Sequence, residues 1–430
     1  MNYFVIVVLI FFLLLLLGKP IALVILFSAM LGLFLKGVPL TVLIPNMYNQ
    51  LISFTYLAVP MYIFAGALLN ELGIAERIFN FANSIVGHIR GGLGHVNILA
   101  SMIFAGMSGS STADVAGLGR VEMEAMNKAG YDPAFSAAIT ATSSILGPII
   151  PPSVHMMIFA TIAEVPAAAI LMGGLLPGIL MGLSLMITIY IIALTGKVKC
   201  PITSSGFQLS TIFQKFKEGF WALLAPIIIV GSILGGFATA TEAGVIAVAY
   251  TLLIGKFIYK TLNISKIQKC LNISLYSLGV VSFIIAVSKI FTWYITIENI
   301  PEQFMSFVYS ITDNHILIIL LIVLLIILLG CVATASANII LVTPIIMPLL
   351  VSIGFHPIHI GVIIVFGLVI GIITPPVGAS LYIACDVSGV SFENLIKKMW
   401  PFYIPLIIGF LLVIFFPALT LYIPQILKIV

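Results

Sequence analysis

The amino-acid sequence predicts an all-α polytopic membrane protein of two inverted-topology repeats. Each repeat holds a re-entrant helical hairpin and a Pro-Pro-broken helix. Three observations carry this: the composition, an internal repeat marked by prolines, and the placement of lysine and arginine. The 430 residues are 62% hydrophobic and 7% charged, against about 25% charged residues in a soluble domain. The first twenty residues, MNYFVIVVLIFFLLLLLGKP, lack the basic start and small-residue cleavage site of a signal peptide, and read as a first span.

Residues 145–154 read ILGPIIPPSV and residues 370–379 read IGIITPPVGA. A proline inside a helix removes a hydrogen bond and clashes with the preceding turn, so each Pro-Pro pair marks a break. Pro151-Pro152 and Pro375-Pro376 stand 224 residues apart. The same offset sets Ser111-Thr112-Ala113-Asp114 on Ala335-Ser336-Ala337-Asn338, and Phe159-Ala160 on Ile383-Ala384. An offset of 226 sets IAERIFNF (74–81) on IPEQFMSF (300–307). Matching polar and proline landmarks at nearly one spacing indicate an internal repeat. The halves are 1–210 and 221–430, with 211–220 closing the polar linker GKVKCPITSSGFQLSTIFQKFKEGF.

Basic residues orient the halves. Loop 71–91 holds Arg77 and Arg90, whereas its partner 298–314 carries only the acids Glu298, Glu302 and Asp313. Segment 118–132 holds Arg120 and Lys128 against none in 342–356, and 388–400 holds Lys397 and Lys398 against none in 164–176. Loop 256–269 has four lysines, against Lys36 alone in 36–47. Each basic loop faces a non-basic partner, the mark of inverted repeats. With the linker's lysines, 14 of the 18 basic residues fall on one side, which the positive-inside rule makes cytoplasmic, with both termini outside.

The expected path follows in order. Residues 3–17 and 20–35 pair, and 48–70 crosses inward. Residues 92–118 form a re-entrant hairpin, 133–163 cross outward with a break at Pro151-Pro152, and 177–195 return. The second half repeats this upside down: 221–254, 271–297, a hairpin at 315–342, a broken span 358–387 and a final span 401–424. That makes roughly ten spans and two hairpins.

Broken helices are tolerated at membrane depth only where protein buries them or a cavity needs them. In inverted-repeat transporters they form midplane substrate and ion sites. Pro151 and Pro152 should free the carbonyls of Gly147 and Pro148, and Pro375 and Pro376 those of Gly371 and Ile372. Hydroxyls lie close by: Ser143, Ser144 and Ser153 in one half, Thr374 and Ser380 in the other. The hairpin turns add Ser108, Ser110, Ser111 and Thr112, then Thr334 and Ser336. Carbonyls with hydroxyls suit a hard monovalent cation such as Na⁺, and converging half-helix N-termini favour an anion. The physical expectation is a Na⁺-coupled carrier of a small organic anion. The chain has four scattered cysteines and neither a Walker sequence nor GxGxxG, so no nucleotide and no structural metal is expected.

SGSSTADVAGLG (108–119), ILGPIIPPSV (145–154), TATEAGVIAVAY (239–250) and TPPVGASLYIA (374–384) resemble the large membrane subunit of tripartite ATP-independent periplasmic (TRAP) transporters. The resemblance covers essentially the whole chain, with the motifs in family order. It implies import of a carboxylated solute, such as a C4-dicarboxylate or sialic acid, across a bacterial inner membrane with periplasmic termini. It implies a Na⁺ gradient as the driving force and an elevator mechanism. The implied partners are a small four-helix membrane subunit, a periplasmic solute-binding protein, the solute and the bilayer, but no nucleic acid.

The resemblance maps one sodium site to Ser108, Gly109, Ser110 and Ser111 with Ser143, Gly147 and Pro148. It maps a second to Gly330, Ala333 and Thr334 with Gly371 and Thr374. Substrate candidates are Thr112, Asp114, Ser153, Ser336, Asn338 and Ser380. The second hairpin, GCVATASAN, has Thr334 where family members often carry an acid, and Asp386 stands where a small residue is expected.

Other charges inside apolar stretches are functional candidates by default. Asp114 tunes the first sodium site or caps its arm. Glu242, at the repeat position of Gly18 beside Lys19, reads as an ion-pair member or helix cap. Lys289 attracts a carboxylate or subunit, or snorkels or pairs with an acid. Arg120 is a topology anchor or meets departing substrate. Two alternatives remain. One is a stand-alone Na⁺/organic-acid carrier of related fold. The other is an intramembrane serine protease, with Ser108 in Gly106-Met107-Ser108-Gly109 as nucleophile and His155 as base.

Overall fold

The computed structural model describes residues 3–53, 56–196, 198, 200–201, 206 and 208–430, and every regular element among them is helical. Helices α1 (Tyr3–Leu16) and α2 (Ile21–Leu35) form the opening pair, and Lys19 sits exposed in the turn between them. A short 3₁₀ turn leads into α3 (Leu43–Leu51), followed by α4 (Ala58–Glu71). The span expected over 48–70 is therefore two helices. Pro60 supplies a reason, because proline is tolerated in the first turn of a helix and not in its interior. Phe54 and Thr55 lie outside the described residues. Helix α5 (Ile74–Val86) leaves α4 at a bend of 74°.

The first hairpin is α6 (Gly92–Ser108), α7 (Ser111–Ala116) and α8 (Leu118–Lys128). It doubles back at Gly109, whose φ of +62° lies in the left-handed region that favours glycine. A Cβ there would also stand 2.7 Å from the Pro152 carbonyl oxygen. The return arm kinks at Gly117 and continues beyond the expected limit at 118. Helix α9 (Pro133–Ser143) starts on an Asp132 cap and ends in a 3₁₀ turn. After the break comes α10 (Val154–Ala163), capped by the Ser153 hydroxyl, then the long span α11 (Ala167–Thr195).

The second half opens with α12 (Leu209–Leu234), α13 (Ala240–Leu253) and a π-helical turn over Ile254–Ile258. Helices α14 (Ile264–Ile297) and α15 (Ile300–Ile311) precede the second hairpin, α16 (His315–Val332) and α17 (Ala335–Ser352). The broken element is α18 (Pro357–Gly371) with α19 (Ala379–Ser388). The chain ends with α20 (Phe392–Phe415) and α21 (Ala418–Ile426). The expected last span, 401–424, is divided at Pro417. Hairpin, broken helix and long helix thus occur twice in the same order, and both Pro-Pro bonds are cis.

Among the described residues seven helices are long and apolar enough to cross a membrane, or eight if the bent α4–α5 pair counts as one. Leucine, isoleucine and phenylalanine stand exposed along α11, α12 and α14, as lipid-facing surfaces require. Two short helices do the reverse. Helix α9 is buried from Ala134 to Ser143, and α18 from Ile358 to Gly371. A helix buried all round belongs to the centre of a bundle, so α9 and α18 lie in the core.

Candidate functional site

A cavity of about 520 Å³ opens where the two hairpin tips face α4 and α14. Its polar wall comes from Ser108, Ser110, Ser111 and Thr112 of the first tip, Thr334 and Ser336 of the second, and His155 of α10. The opposite wall is mostly apolar, with Ile63, Ala67, Ile273, Val280 and Ile284 alongside Asn70, Tyr276 and Ser277. The breaks explain the convergence. Helices α10, α17 and α19 all begin near this space, with Val154, Ala335 and Ala379 in its lining.

Behind the wall a hydroxyl chain joins the halves. The Ser111 hydroxyl lies 2.8 Å from Ser144 Oγ and 2.9 Å from Ser380 Oγ. Ser144 spends its proton on the Ala141 carbonyl at 2.8 Å. Each hydroxyl has one proton, so Ser380 donates to Ser111, Ser111 to Ser144, and Ser144 to the backbone. Asp114 is buried beside this chain and accepts the Ser108 hydroxyl bond on Oδ1, while its Oδ2 has no hydrogen-bond partner. Gly147 makes room for that carboxylate, since a Cβ there would sit 2.5 Å from Asp114 Oδ2.

Ser143 has other partners. Its hydroxyl donates to Asn97 Oδ1 at 2.6 Å and receives the Ser101 hydroxyl at 3.0 Å. Ser144 holds the place at the hairpin tip instead. Ser153 accepts the Met156 N–H at 3.1 Å and donates to the Pro148 carbonyl, so that carbonyl is not free.

The second half is tied more by backbone. Gly330 and Gly371 touch directly: a Cβ on Gly371 would lie 2.5 Å from Gly330 Cα. Asn338, at the repeat position of Asp114, donates to the Leu329 and Ala333 carbonyls at 2.7 and 3.2 Å. The Thr374 hydroxyl donates to Ile370 at 2.8 Å. The expected free carbonyls are engaged here too: Gly371 accepts the Thr374 N–H at 2.8 Å, and Ile372 the Ser380 N–H at 3.1 Å. The chain loops back through the break and supplies donors that the missing helical turn cannot.

Of the substrate candidates, Thr112 and Ser336 line the cavity, whereas Asp114, Ser153, Asn338 and Ser380 stand outside its lining. Sequence reasoning missed Asn70, Tyr276 and Ser277 as wall residues, because α4 and α14 read as plain apolar spans. It also missed Glu122, buried on α8 with the Ser101 hydroxyl 3.5 Å from Oε1. In the polar stretch RVEMEAMNK it reads as one more solvent-facing acid.

The remaining charges have local roles. Glu242 is exposed and completes a capping box with Thr239 at the start of α13. Asp386 and Arg120 are exposed. Lys289 pairs with Glu164 at 2.9 Å, bridging α14 to the end of α10, with side chains 41% and 72% exposed. Exposed pairs contribute about 0.2–1 kcal/mol. Glu164→Gln is therefore expected to leave the thermal unfolding midpoint of the purified protein nearly unchanged, and a large drop would show the pair to be structural. The protease arrangement has no nucleophile–base pair among the described residues: the Ser108 hydroxyl donates to Asp114 and not to His155.

A family model described as "Tripartite ATP-independent periplasmic transporter, DctM component" matches residues 8–419. The chain is 37% identical over 410 residues, 95% of each sequence, to the "Sialic acid TRAP transporter large permease protein SiaM" of Vibrio cholerae. It is 35% identical over 372 residues, 86% of each, to the "C4-dicarboxylate TRAP transporter large permease protein DctM" of Pseudomonas aeruginosa. The crystal structure of the Alcanivorax borkumensis YdaH transporter shares the fold, with a TM-score of 0.62 at 14% identity over 88% of each chain.

Proposed function

Because the chain belongs to the DctM-component family of TRAP transporters, we propose that it imports a small carboxylated solute across the bacterial inner membrane, driven by Na⁺. A periplasmic binding protein delivers the solute, and a small membrane subunit completes the complex. The observation that carries this reading is the cavity shared by both hairpin tips, both broken helices and the facing pair α4 and α14. Transporters with broken helices bind substrate at such junctions. The hairpins and broken helices move together against α4 and α14, as inverted repeats with both termini periplasmic. This is an elevator motion that carries the cavity from one side to the other.

Na⁺ is a co-transported ion in this reading. The Ser108–Ser111 tip with Gly147 is the first candidate site, strengthened by the buried Asp114 carboxyl group. The Gly330–Thr334 turn with Gly371–Thr374 is the second. The C4-dicarboxylate and sialic acid named for the two relatives above define the substrate range to test.

The test is uptake into proteoliposomes holding this chain and its small subunit. Labelled organic acids are offered under an imposed Na⁺ gradient, with and without the binding protein. Uptake should need both, and should fall to background when K⁺ replaces Na⁺. Na⁺-driven uptake without the binding protein would establish the stand-alone carrier instead. Uptake indifferent to Na⁺ would refute the coupling.

A further inference from the structure

Six ion pairs stand among the described residues. Lys128–Glu124 and Lys215–Glu218 each lie within one helix. Lys269–Glu71 joins α14 to α4, Lys36–Glu298 joins the ends of α2 and α14, and Lys398–Asp132 joins α20 to the start of α9. Among these six, only Lys289–Glu164, at 2.9 Å, ties one of the facing helices, α14, to a broken element, through the end of α10. A second tie meets the same end. Gln50, buried on α3, donates a side-chain N–H to the Thr161 carbonyl at 3.3 Å. That carbonyl lies in the last turn of α10, where helical donors run out, and α3 itself packs on α14.

Both ties lie beyond the cavity. Helix α10 runs from Val154 and His155 in the lining to Glu164 just past its end. Helix α14 lines the cavity between Ile273 and Ile284, and Lys289 follows toward its C-terminal end. Lys266 and Lys269 stand at the opposite end of α14. The ties therefore fasten α10 on the side of the cavity away from these lysines. The repeat gives the ion pair no counterpart. An offset of 226 sets Lys289 on Ile63, and one of 224 sets Glu164 on Ser388. An arrangement in which the two repeats exchange roles has no such pair to hold it.

We propose that Lys289–Glu164 and Gln50–Thr161 form a latch that holds the cavity toward the lysine-bearing side and opens in every transport cycle, an inference that rests on the moving-hairpin reading above. A contact made in one state and absent from the other shifts the balance between them by its full differential free energy. For an exposed pair that shift is modest, which suits a tie that must break at each turnover.

The test uses the complex of this chain with its small subunit, made free of cysteine, in proteoliposomes with the binding protein. Glu164→Cys and Lys289→Cys are introduced together and joined by a short bis-thiosulfonate linker. Uptake should fall to background on linking and return on reduction, while each single cysteine treated alike keeps its uptake. In a second experiment, spin labels on Glu124→Cys of α8 and Gln268→Cys of α14 report the distance between moving and facing helices. Adding Glu164→Gln should move the ratio of the two distance populations about twofold to fivefold away from the latched one, and Gln50→Leu should move it in the same direction. Size-exclusion profiles and melting midpoints identify variants that fail to fold. Full uptake by completely linked protein, or an unchanged ratio in folded Glu164→Gln, would overturn the latch and leave the transport reading intact. No uptake by the unlinked and native-cysteine complexes, with one unchanging distance, would overturn both.

Discussion

Gly371→Val is expected to cost the protein its folded state. The Cβ alone would lie 2.5 Å from Gly330 Cα and 2.6 Å from both the Gly330 carbonyl carbon and the Ile327 oxygen. These are backbone atoms, so no side chain can swing aside. The contact is reciprocal, since a Cβ on Gly330 would meet the Leu368 oxygen at 2.5 Å. Nor can α18 retreat, being buried along its length. Ordinary overpacking costs about 1–3 kcal/mol. Here two helices must part, so the loss should exceed about 4 kcal/mol, the exceptional end of single substitutions. Gly231→Ala is the control: its Cβ meets nothing within 4 Å, and alanine favours a helix by roughly 0.5–1 kcal/mol over glycine. The measurement is the unfolding midpoint and monodispersity in detergent. Equal midpoints for the two variants would show that the glycine contact is not required.

Asp114→Asn and Asp114→Leu together separate geometry from charge at the first hairpin. Asp114 accepts the Ser108 bond and lies against Gly147, holding the tip to the break between α9 and α10. Leucine keeps bulk but removes the acceptor, leaving the tip hydroxyl unserved at a cost of about 1–3 kcal/mol. Na⁺-driven uptake should fall at least tenfold. Asparagine keeps an acceptor and removes the carboxyl group, so the fold should survive. The Na⁺ concentration for half-maximal uptake should rise about tenfold, equivalent to about 1.4 kcal/mol. Unchanged Na⁺ dependence in the asparagine variant would restrict Asp114 to a positioning role, the one Asn338 performs in the second hairpin.

The features legible in the sequence are those that stand out against an apolar background. The Pro-Pro pairs announced both breaks, and SGSST and TAS announced both hairpin turns, because hydrocarbon makes every polar or backbone-breaking residue conspicuous. The facing wall was not legible. Asn70, Tyr276 and Ser277 are single polar groups on long helices, with no local pattern to separate them from snorkelling or lipid-interface residues. Three of the four carbonyls at the breaks, those of Pro148, Gly371 and Ile372, accept hydrogen bonds and were misjudged for a different reason. Loss of the helical donor at Pro376 is a local fact, but the Ser380 N–H that replaces it at Ile372 depends on the path of the loop. Ser143 and Ser144 show the same limit: neighbours in sequence, they serve different networks because successive helical residues point about 100° apart, and only the fold decides which meets the hairpin tip.

The burial of α9 and α18 has a consequence for biogenesis. Helix α9 has 11 residues and α18 has 15, giving lengths of about 16 and 22 Å at 1.5 Å per residue. Neither reaches the roughly 30 Å of hydrocarbon, so neither inserts as a span on its own hydrophobic length. Helix α9 finds partners on α20: the Phe135 and Phe402 rings lie 5.9 Å apart, and Thr142 meets Met399 across a separation of 257 residues. Lys398 reaches back to Asp132 at the start of α9, at 2.7 Å. The packing of α9 is therefore completed only once α20 has been made, 257 residues further along at the Thr142–Met399 contact. Until then the nascent chain must shelter a short helix that the bilayer alone does not hold.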